Sequence, residues 1–298
     1  MEPRNKVLNG AGQSSAAFKN YVDGLTESTR PALYMLYVGL KNANLQSWFN
    51  NQKEQLKKYP WLVMPQIGLS MTTDGKPEEH YEDKVAAGDY DQNINEFCLA
   101  VKEWNIPCYI RIGYEFNGRW NGYNPANFKE AFIRISNAFK KNKVKNAALL
   151  WCFATDGGAD FTSYYPGDDY VDWWSIDLFA ETHFTDPKTT TFLDSALIHK
   201  KPVMIGESTP RKVSVQGGEK SWIRWFQPYF KLIHEYPHIK GFCYINWDWT
   251  TTRWSDWGDG RIEANLFIKR KFTDELQSDL YLHGMKKNRL KKYINLIE

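Results

Sequence analysis

The sequence predicts an α/β protein in which eight parallel strands alternate with helices and close into a single-domain (β/α)₈ barrel, the TIM barrel. Three observations support this fold class. Eight short apolar runs are separated mostly by segments with helical periodicity. The chain has 298 residues, and such barrels typically need about 250. No internal repeat and no flexible linker divides the chain, so one domain over residues 1–298 is expected.

Strands and helices are predicted from the spacing of the apolar residues. The predicted strands are residues 6–10, 32–40, 61–70, 107–112, 147–154, 171–179, 202–206 and 239–245. The predicted helices are residues 16–25, 44–58, 89–104, 125–140, 192–199 and 222–235. Residues 71–88 are expected to form a long polar loop, and residues 269–298 a C-terminal helical segment that closes the chain.

Proline and glycine support several of these boundaries. The second run follows Pro31, and the fourth begins at Pro107. Pro125 stands at the start of a helix, where its missing N–H costs little. The turn-forming residues 165–170 precede the sixth run.

A doubly wound open sheet is the alternative fold. It usually has a glycine-rich phosphate loop after its first strand, whereas residues 10–15 lack the third glycine and the later acidic partner.

The composition favours a carbohydrate partner over a nucleic acid. The chain has 13 Trp, 17 Tyr and 17 Phe, more large rings than a core requires. Flat rings suit the apolar faces of sugars and also nucleic-acid bases. Because the net charge is only +3 and no basic stripe is present, nucleic-acid binding is not expected.

Several other classes of protein and site are not expected either. No stretch approaches the ~20 apolar residues of a membrane helix. Residues 1–6 lack the apolar part of a signal peptide, so we expect a secreted or periplasmic protein whose signal is absent from this sequence, with a cytoplasmic location left open. The four cysteines lie inside apolar runs and are interpreted as buried free thiols. No cofactor is expected, and no cysteine pair has the spacing of a metal site.

Polar residues follow the fourth, seventh and eighth strands, at the ends where barrel proteins collect ligand-contacting groups. Glu115 and Trp120 follow the fourth strand, and Glu207 follows the seventh. Barrel geometry would bring the two glutamates to facing sides of one cleft. Hydrolysis of a glycosidic bond needs a proton for the leaving oxygen and a carboxylate beneath the anomeric carbon. A carboxyl separation of about 5 Å would indicate a retaining reaction, and about 6.5–9.5 Å an inverting one.

Four motifs, in this order, resemble glycoside hydrolase family 26. They are Arg111, Glu115, Asn117, Gly118 and Trp120 in one segment, residues 165–172, residues 201–207 and residues 245–248. The resemblance implies a retaining enzyme with Glu115 as acid/base and Glu207 as nucleophile. It also implies an internally cleaved β-linked polysaccharide, β-mannan first, with β-1,3-xylan or β-glucan as alternatives.

Two positions depart from the family pattern. The family usually has His before the acid/base, where this chain has Tyr114. It usually has Tyr at the end of the sixth strand, bonded to the nucleophile, where this chain has Phe179. Tyr244 or His183 would have to replace that tyrosine. Both departures concern the subsite of the reacting sugar, so the sequence predicts the reaction better than the substrate.

The local environments predict different charge states for the two glutamates. Arg111 is expected to lie within reach of Glu207 and to keep it ionised. Glu115, flanked by rings, is expected to have a raised pKa and to hold its proton. The predicted substrate-binding residues are Arg111, Tyr114, Asn117, Trp120, His183, Tyr244, Asn246 and Trp247, with Trp120 and Trp247 stacking on sugar rings.

The sequence also contains features that suggest other functions. Residues 234–238 match the zinc-protease pattern His-Glu-x-x-His, but Pro237 would break the helix that this motif needs. A Ser-His-Asp hydrolase would require a nucleophile elbow, which is missing. Basic residues in the loops after three strands favour an anionic, sulfated or uronic-acid polymer as an alternative substrate; they are Arg119, Arg211, Lys212, Arg253 and Arg261. A catalytically silent polysaccharide-binding barrel is the alternative class, and a monomer is expected.

Overall fold

A computed structural model of the chain describes residues 1–73, 75–290 and 292–294. Its strands are β1 (Val7–Gly12), β2 (Leu33–Gly39), β3 (Met64–Ser70), β4 (Cys108–Ile112), β5 (Ala147–Ala154), β6 (Trp173–Leu178), β7 (Val203–Ser208) and β8 (Ile239–Ile245). Each strand pairs in parallel with the next, and β1 pairs with both β2 and β8. The sheet is therefore closed, and the predicted (β/α)₈ barrel is confirmed.

Helices surround the barrel. They are α1 (Ser15–Gly24), α2 (Leu45–Leu56), α3 (Glu82–Ala87), α4 (Asp91–Trp104), α5 (Pro125–Lys141), α6 (Pro187–Ile198), α7 (Glu219–Ser221), α8 (Gln227–Glu235), α9 (Leu266–Leu276) and α10 (Lys287–Leu290). A π-helical turn, Trp222–Phe226, joins α7 to α8. None of the helices in the described part of the chain has the length and apolar character needed to cross a membrane.

The prediction of a continuous loop over residues 71–88 was wrong, because this segment contains α3. The helix is too short to show an apolar periodicity in the sequence, and tertiary contacts stabilise it. Val85 is buried, and the buried Glu82 carboxylate accepts a hydrogen bond of 2.7 Å from the backbone N–H of Asn124, at the start of α5. Contacts of this kind leave no pattern in the local sequence.

The C-terminal segment is not helical throughout. Between α9 and α10 lies a ninth strand, β9 (Tyr281–Leu282), which pairs in parallel with Val7–Leu8 of β1. Because Leu8 also pairs with Gly241 of β8, β9 lies on the β2 side of β1, at the amino end of the barrel. Residues 291 and 295–298 of the predicted segment lie outside the described residues.

The interior of the barrel changes character from one end to the other. Side chains alternate along each strand, so that Tyr109 and Arg111 of β4 share one face. Toward the amino end the interior is filled by rings such as Tyr109 and Trp173, whose centroids are 5.3 Å apart. Toward the carboxyl end it contains the buried polar side chains of Gln66, Arg111 and Asp177. The barrel therefore has an apolar base and a charged upper layer.

The four cysteines are buried free thiols, as predicted. Burial raises the pKa of the Cys98 thiol to about 12 and that of the other three further. They are therefore protonated and serve as packing groups.

Candidate active site

Arg111 is the centre of the charged layer. Its side chain is fully buried, and its two terminal nitrogens bind different carboxylates. Nη2 donates to Glu207 Oε1 at 2.7 Å, and Nη1 donates to Asp177 Oδ2 at 3.1 Å. The predicted contact between Arg111 and Glu207 is thus present. Asp177, a residue inside the apolar run of the sixth strand, was missed by the sequence analysis.

A register shift brings the two carboxylates side by side. Along the β6–β7 pair, Ile176 is opposite Ile205, but Asp177 is opposite Glu207, so Gly206 is passed over. A Cβ on Gly206 would lie 2.6 Å from Asp177 Oδ1 and 3.0 Å from the Cδ of Arg111. Glycine is needed here because the ion-paired groups occupy the space of a side chain.

The charges in this layer do not balance if every acid is ionised. One guanidinium faces two carboxylates in a dry interior, so one of the two is expected to retain a proton. Burial and the neighbouring Glu207 raise the pKa of Asp177 to about 8, although Arg111 opposes this shift. Near neutral pH the proton therefore resides on Asp177, and the positive charge of Arg111 is directed at Glu207.

Glu115 occupies a strained turn directly after β4. Its φ is +53°, a left-handed conformation that costs a non-glycine residue of the order of 1 kcal/mol or more. Asn121 stabilises the turn by donating to the carbonyls of Tyr114 and Glu115, both at 3.0 Å. Trp120 Nε1 donates to Glu115 Oε2 at 2.7 Å. The turn aims the Glu115 carboxyl at the cleft, where it is half-buried.

The surroundings of Glu115 favour its protonated form. Loss of hydration raises its pKa well above the ordinary value, and the neighbouring acidic groups of Asp177 and Glu207 raise it further. The hydrogen bond from Trp120 and the charge of Arg111 act in the opposite direction but are weaker. The pKa of Glu115 is thus raised, as the sequence predicts.

Two tyrosines flank the guanidinium of Arg111. Its Cζ lies 5.0 Å from the Tyr114 ring centroid and 5.6 Å from that of Tyr37, a residue of β2. The two rings meet edge to face at 5.4 Å. Gly68 makes room for both, since a Cβ there would lie 2.7 Å from the Tyr37 ring. The Tyr37 hydroxyl contacts Met35 Sδ at 3.3 Å and Gln13 Oε1 at 3.5 Å. Burial raises its pKa well above the ordinary value, and the nearby charge of Glu207 raises it further.

Four predicted substrate-binding residues have other partners. Tyr244 is fully buried and donates to the carbonyl of Gly260. Asn246 is buried, donating to Glu263 and accepting from Ile262 N. Because the Tyr244 hydroxyl donates to Gly260, it does not replace the tyrosine that is absent at Phe179.

The other two residues, Asn117 and His183, are also bound to protein groups. Asn117 binds Ala154 N and the carbonyls of Ala154 and Gly158, and thereby fixes the end of β5. His183 Nδ1 accepts from Phe179 N at 3.1 Å, so its Nε2–H donates to Asp156. The polar atoms of all four side chains therefore have partners inside the protein. That these residues bind sugar stays a prediction.

A cavity of about 1180 Å³ opens beside Glu115. Its aromatic lining consists of Trp120, Tyr123, Tyr164, Trp254 and Trp257. Trp120 was predicted here, whereas Trp254 and Trp257, from the loop after β8, were missed. Trp247 is half-buried, stands next to Trp249 at 6.2 Å between centroids, and is not part of this lining. The cavity has the size and aromatic character of a small-ligand or oligomer-binding cleft.

The predicted ring of basic residues is largely neutralised by aspartates. Arg211 binds Asp156 through both terminal nitrogens at 2.6 and 2.8 Å. Lys212 pairs with Asp256 at 3.0 Å. Arg261 pairs with Asp259 at 2.8 Å and with Asp248 at 3.1 Å. Of the five basic residues, Arg119, Arg211 and Arg253 line the cavity. The ion pairs of Arg211, Lys212 and Arg261 reduce the positive charge that the loops offer to an anionic polymer.

The zinc-protease reading is excluded by geometry. Helix α8 ends at Glu235, between the two histidines of the motif. His234 bonds to Glu275 at 2.8 Å, whereas His238 bonds to the carbonyl of Leu193 at 3.0 Å. The two side chains thus have separate partners on different elements.

Comparison with known proteins identifies the relatives of this chain. Residues 38–212 match the family model described as Glycosyl hydrolase family 26. A β-1,3-xylanase of Alcaligenes sp is 28% identical over 94% of this chain, which spans 66% of that protein. A mannan endo-1,4-β-mannosidase of Bacillus subtilis is 24% identical over 70% of this chain and 62% of that protein. The chain thus spans somewhat less than two thirds of the length of these relatives.

A solved structure supports the same fold. The Bacillus subtilis mannanase BCman superposes with a TM-score of 0.61 and 17% identity. The alignment covers 93% of this chain and 86% of the mannanase. At this identity the likeness is one of fold alone.

Proposed function

Since the chain belongs to glycosyl hydrolase family 26, we propose that it hydrolyses an internal β-glycosidic linkage of a polysaccharide with retention of configuration. The observation that supports this most directly is the pair of carboxyl groups at the ends of β4 and β7. Glu115 has a raised pKa, whereas Glu207 is bound to the buried cation Arg111. An acid and a nucleophile require this contrast.

In the first step, the Glu115 carboxyl transfers its proton to the glycosidic oxygen. A Glu207 oxygen attacks the anomeric carbon as the bond to the leaving oxygen breaks. Arg111 Nη2 binds Oε1, which leaves Oε2 as the attacking atom. The products of this step are a free sugar hydroxyl and a glycosyl ester on Glu207.

In the second step, the deprotonated Glu115 accepts a proton from water, and the water oxygen attacks the anomeric carbon. The ester bond breaks and the Glu207 carboxylate is restored. The hydrogen bond from Arg111 stabilises this departing carboxylate. Two inversions at one carbon give net retention.

For the substrate we propose a neutral polymer, with β-mannan first. The mannosidase relative and the fold shared with a mannanase support this choice. β-1,3-Xylan is the second candidate, because the Alcaligenes β-1,3-xylanase has the higher identity and aligns with more of the chain. The ion pairs of Arg211, Lys212 and Arg261 argue against a sulfated or uronic-acid polymer.

A substrate screen tests this proposal. The protein is incubated with β-1,4-mannan, β-1,3-xylan, mixed-linkage β-glucan and a sulfated galactan, and the sizes of the products are measured. We expect oligosaccharides of several lengths from one of the two neutral candidates. Binding of a polymer without any release of reducing ends would instead identify a catalytically silent barrel, and cleavage of the sulfated galactan alone would restore the anionic alternative.

Replacing Trp120 by Phe should change the pH dependence of the reaction. The indole N–H of Trp120 stabilises the ionised form of Glu115, so its removal should raise the pKa of Glu115 further. The alkaline limb of the kcat/KM profile is therefore expected to move to higher pH, while the phenyl ring keeps most of the packing. A profile unchanged in position would show that Trp120 does not bind the catalytic acid. Trp222→Phe, on the π-helical turn, is the matched control.

We also propose that residues 1–298 act as one catalytic domain and as a monomer. Glu115, just after β4, and Glu207, near the end of β7, lie at the same end of a single barrel, and the cleft opens beside Glu115. Because a polysaccharide is too large to be taken up intact, we place the reaction outside the cytoplasm.

A further inference from the structure

A second cavity lies beside the catalytic cleft. It has a volume of about 540 Å³ and is bounded by the loops after β6, β7 and β8. Arg211, Trp254 and Trp257 line both this cavity and the cleft. A single wall of three side chains thus separates the two spaces, and neither the mechanism nor the family match assigns a role to the outer one.

The shared wall is held in place by packing and hydrogen bonds. Trp257 lies 4.8 Å from Trp249 and 5.3 Å from Phe179, measured between ring centroids. The Arg211 guanidinium lies 5.2 Å from the Trp257 ring centroid. Its bidentate contact with Asp156, which also binds His183, fixes the guanidinium from the other side. The wall is therefore preformed, and binding would not require it to be ordered.

The polar groups of the outer cavity are paired with one another. Arg224 binds both oxygens of Glu181 at 2.7 and 2.9 Å. Lys212 pairs with Asp256 at 3.0 Å. With Arg211 bound to Asp156, the three cations of the lining have carboxylate partners. Such a surface offers many hydrogen-bonding atoms but little net charge, which suits neutral hydroxyl groups better than anions.

The lining also contains an accessible ring. Trp254 is 37% exposed, a large value for a tryptophan that contacts two others. The volume lies within the range of about 300–1,000 Å³ found for small-ligand sites. The Arg253 guanidinium carbon lies 4.1 Å from the Trp254 ring centroid, so the exposed surface of the indole is the part that Arg253 does not cover. A partly exposed indole among paired polar groups offers the two properties that sugar recognition requires: apolar surface and fixed donors and acceptors.

From these observations we infer that the outer cavity is a further sugar-binding subsite, which holds a neutral glycosyl unit of the polysaccharide beyond the units that fill the cleft. The inference rests on the proposed function and adds a prediction about chain length. Substrates long enough to cross the Arg211–Trp254–Trp257 wall gain binding energy there, whereas substrates confined to the cleft do not.

Filling the cavity tests the inference. Thr182 is exposed and lines the outer cavity but not the cleft, so Thr182→Trp places a bulky ring in the subsite. The probes are β-1,4-manno- and β-1,3-xylo-oligosaccharides of three to six units. The ratio of kcat/KM for the hexasaccharide to that for the shortest cleaved member should fall about tenfold, which corresponds to roughly 1.4 kcal/mol of lost binding. Thr191→Trp, an exposed position on α6, is the control and should keep the wild-type ratio.

A second measurement separates binding from turnover. In the Glu207→Gln background, calorimetric titration with the same hexasaccharides should show weaker binding when Thr182→Trp is added. A wild-type ratio and an unchanged affinity in the Thr182→Trp protein would overturn the subsite while leaving the proposed function intact. Wild-type protein that neither cleaves nor binds any of the oligosaccharides would overturn both.

Discussion

Glu207→Gln is expected to abolish hydrolysis of every substrate, because an amide oxygen cannot form the glycosyl ester on which the reaction depends. The substitution keeps the shape of the side chain and one oxygen that can accept from Arg111 Nη2. It removes the negative charge that faces the guanidinium. The measurement is reducing-sugar release, with oligosaccharide binding as the check that the fold and the cleft remain intact.

Glu115→Gln should have a different kinetic signature. Loss of the general acid is expected to lower kcat on a natural polymer by about 10²–10⁴-fold. An aryl glycoside with a good leaving group does not need protonation, so its first step should be largely restored in this variant. The same aryl glycoside should not rescue Glu207→Gln. Glu219→Gln, an exposed position in α7, is the matched control. Turnover at the wild-type rate in either glutamate variant would reject the assigned roles.

Arg111→Met is expected to cause the largest loss of stability among single substitutions in the barrel. The side chain is fully buried, and its removal leaves the Glu207 carboxylate and the adjacent Asp177 carboxyl group buried without a cation. Breaking a buried ion pair in this way typically costs about 3–5 kcal/mol of unfolding free energy. Chemical denaturation at neutral pH measures it. Arg134→Met is the control, since its exposed pair with Asp91 should contribute about 0–1 kcal/mol.

Asp177→Asn, added to Arg111→Met, tests whether the cost is electrostatic. The double variant has one buried carboxylate fewer, so it should regain part of the lost stability. The stability loss of Asp177→Asn alone is measured as well. If the double variant loses the sum of the two single losses, the two residues act independently. Arg111 would then stabilise the fold through packing, and the proposed balance of buried charges would be wrong.

The pH dependence of stability should also change in Asp177→Asn alone. The pKa of Asp177 is raised to about 8 in the folded protein, compared with about 3.9 in an unfolded chain. A raised carboxyl pKa contributes stability that is complete below about pH 4 and is lost as the pH rises through about 8. Between about pH 5 and about pH 8 the stability of the variant should therefore fall less steeply than that of the wild type.

The sequence predicted the barrel and the strand-end positions of the two glutamates proposed to react, because both follow from short-range patterns of apolar and polar residues. Apolar runs locate buried strands, and strand exits meet at one end of a parallel barrel. That reasoning located Arg111, Glu115, Trp120 and Glu207. Asp177 was missed, although a charged residue within the apolar run of β6 is a signal that could have been used.

What the sequence could not show about the site has a common physical cause. The position of a residue in the chain shows whether its side chain lies near the cleft. It does not show which protein atoms form hydrogen bonds with that side chain. Asn117 and Asn246 follow strands as a sugar ligand would, yet each binds backbone or acidic groups of its own loops. Tyr37 could not be found because its ring, from β2, packs beside the Arg111 guanidinium of β4, a contact between strands that no local pattern in the sequence indicates. This packing depends on the space that Gly68 leaves for the Tyr37 ring.

The central claim is that Glu207, bound to Arg111, becomes covalently attached to the sugar during turnover. It can be tested with a 2-deoxy-2-fluoro glycoside that has an activated leaving group, followed by mass measurement of the intact protein and of its peptides. The account predicts one added glycosyl unit, on the peptide that contains Glu207, and none in Glu207→Gln. A label on another residue, or active enzyme that never accumulates a glycosyl adduct and releases product of inverted configuration, would contradict it.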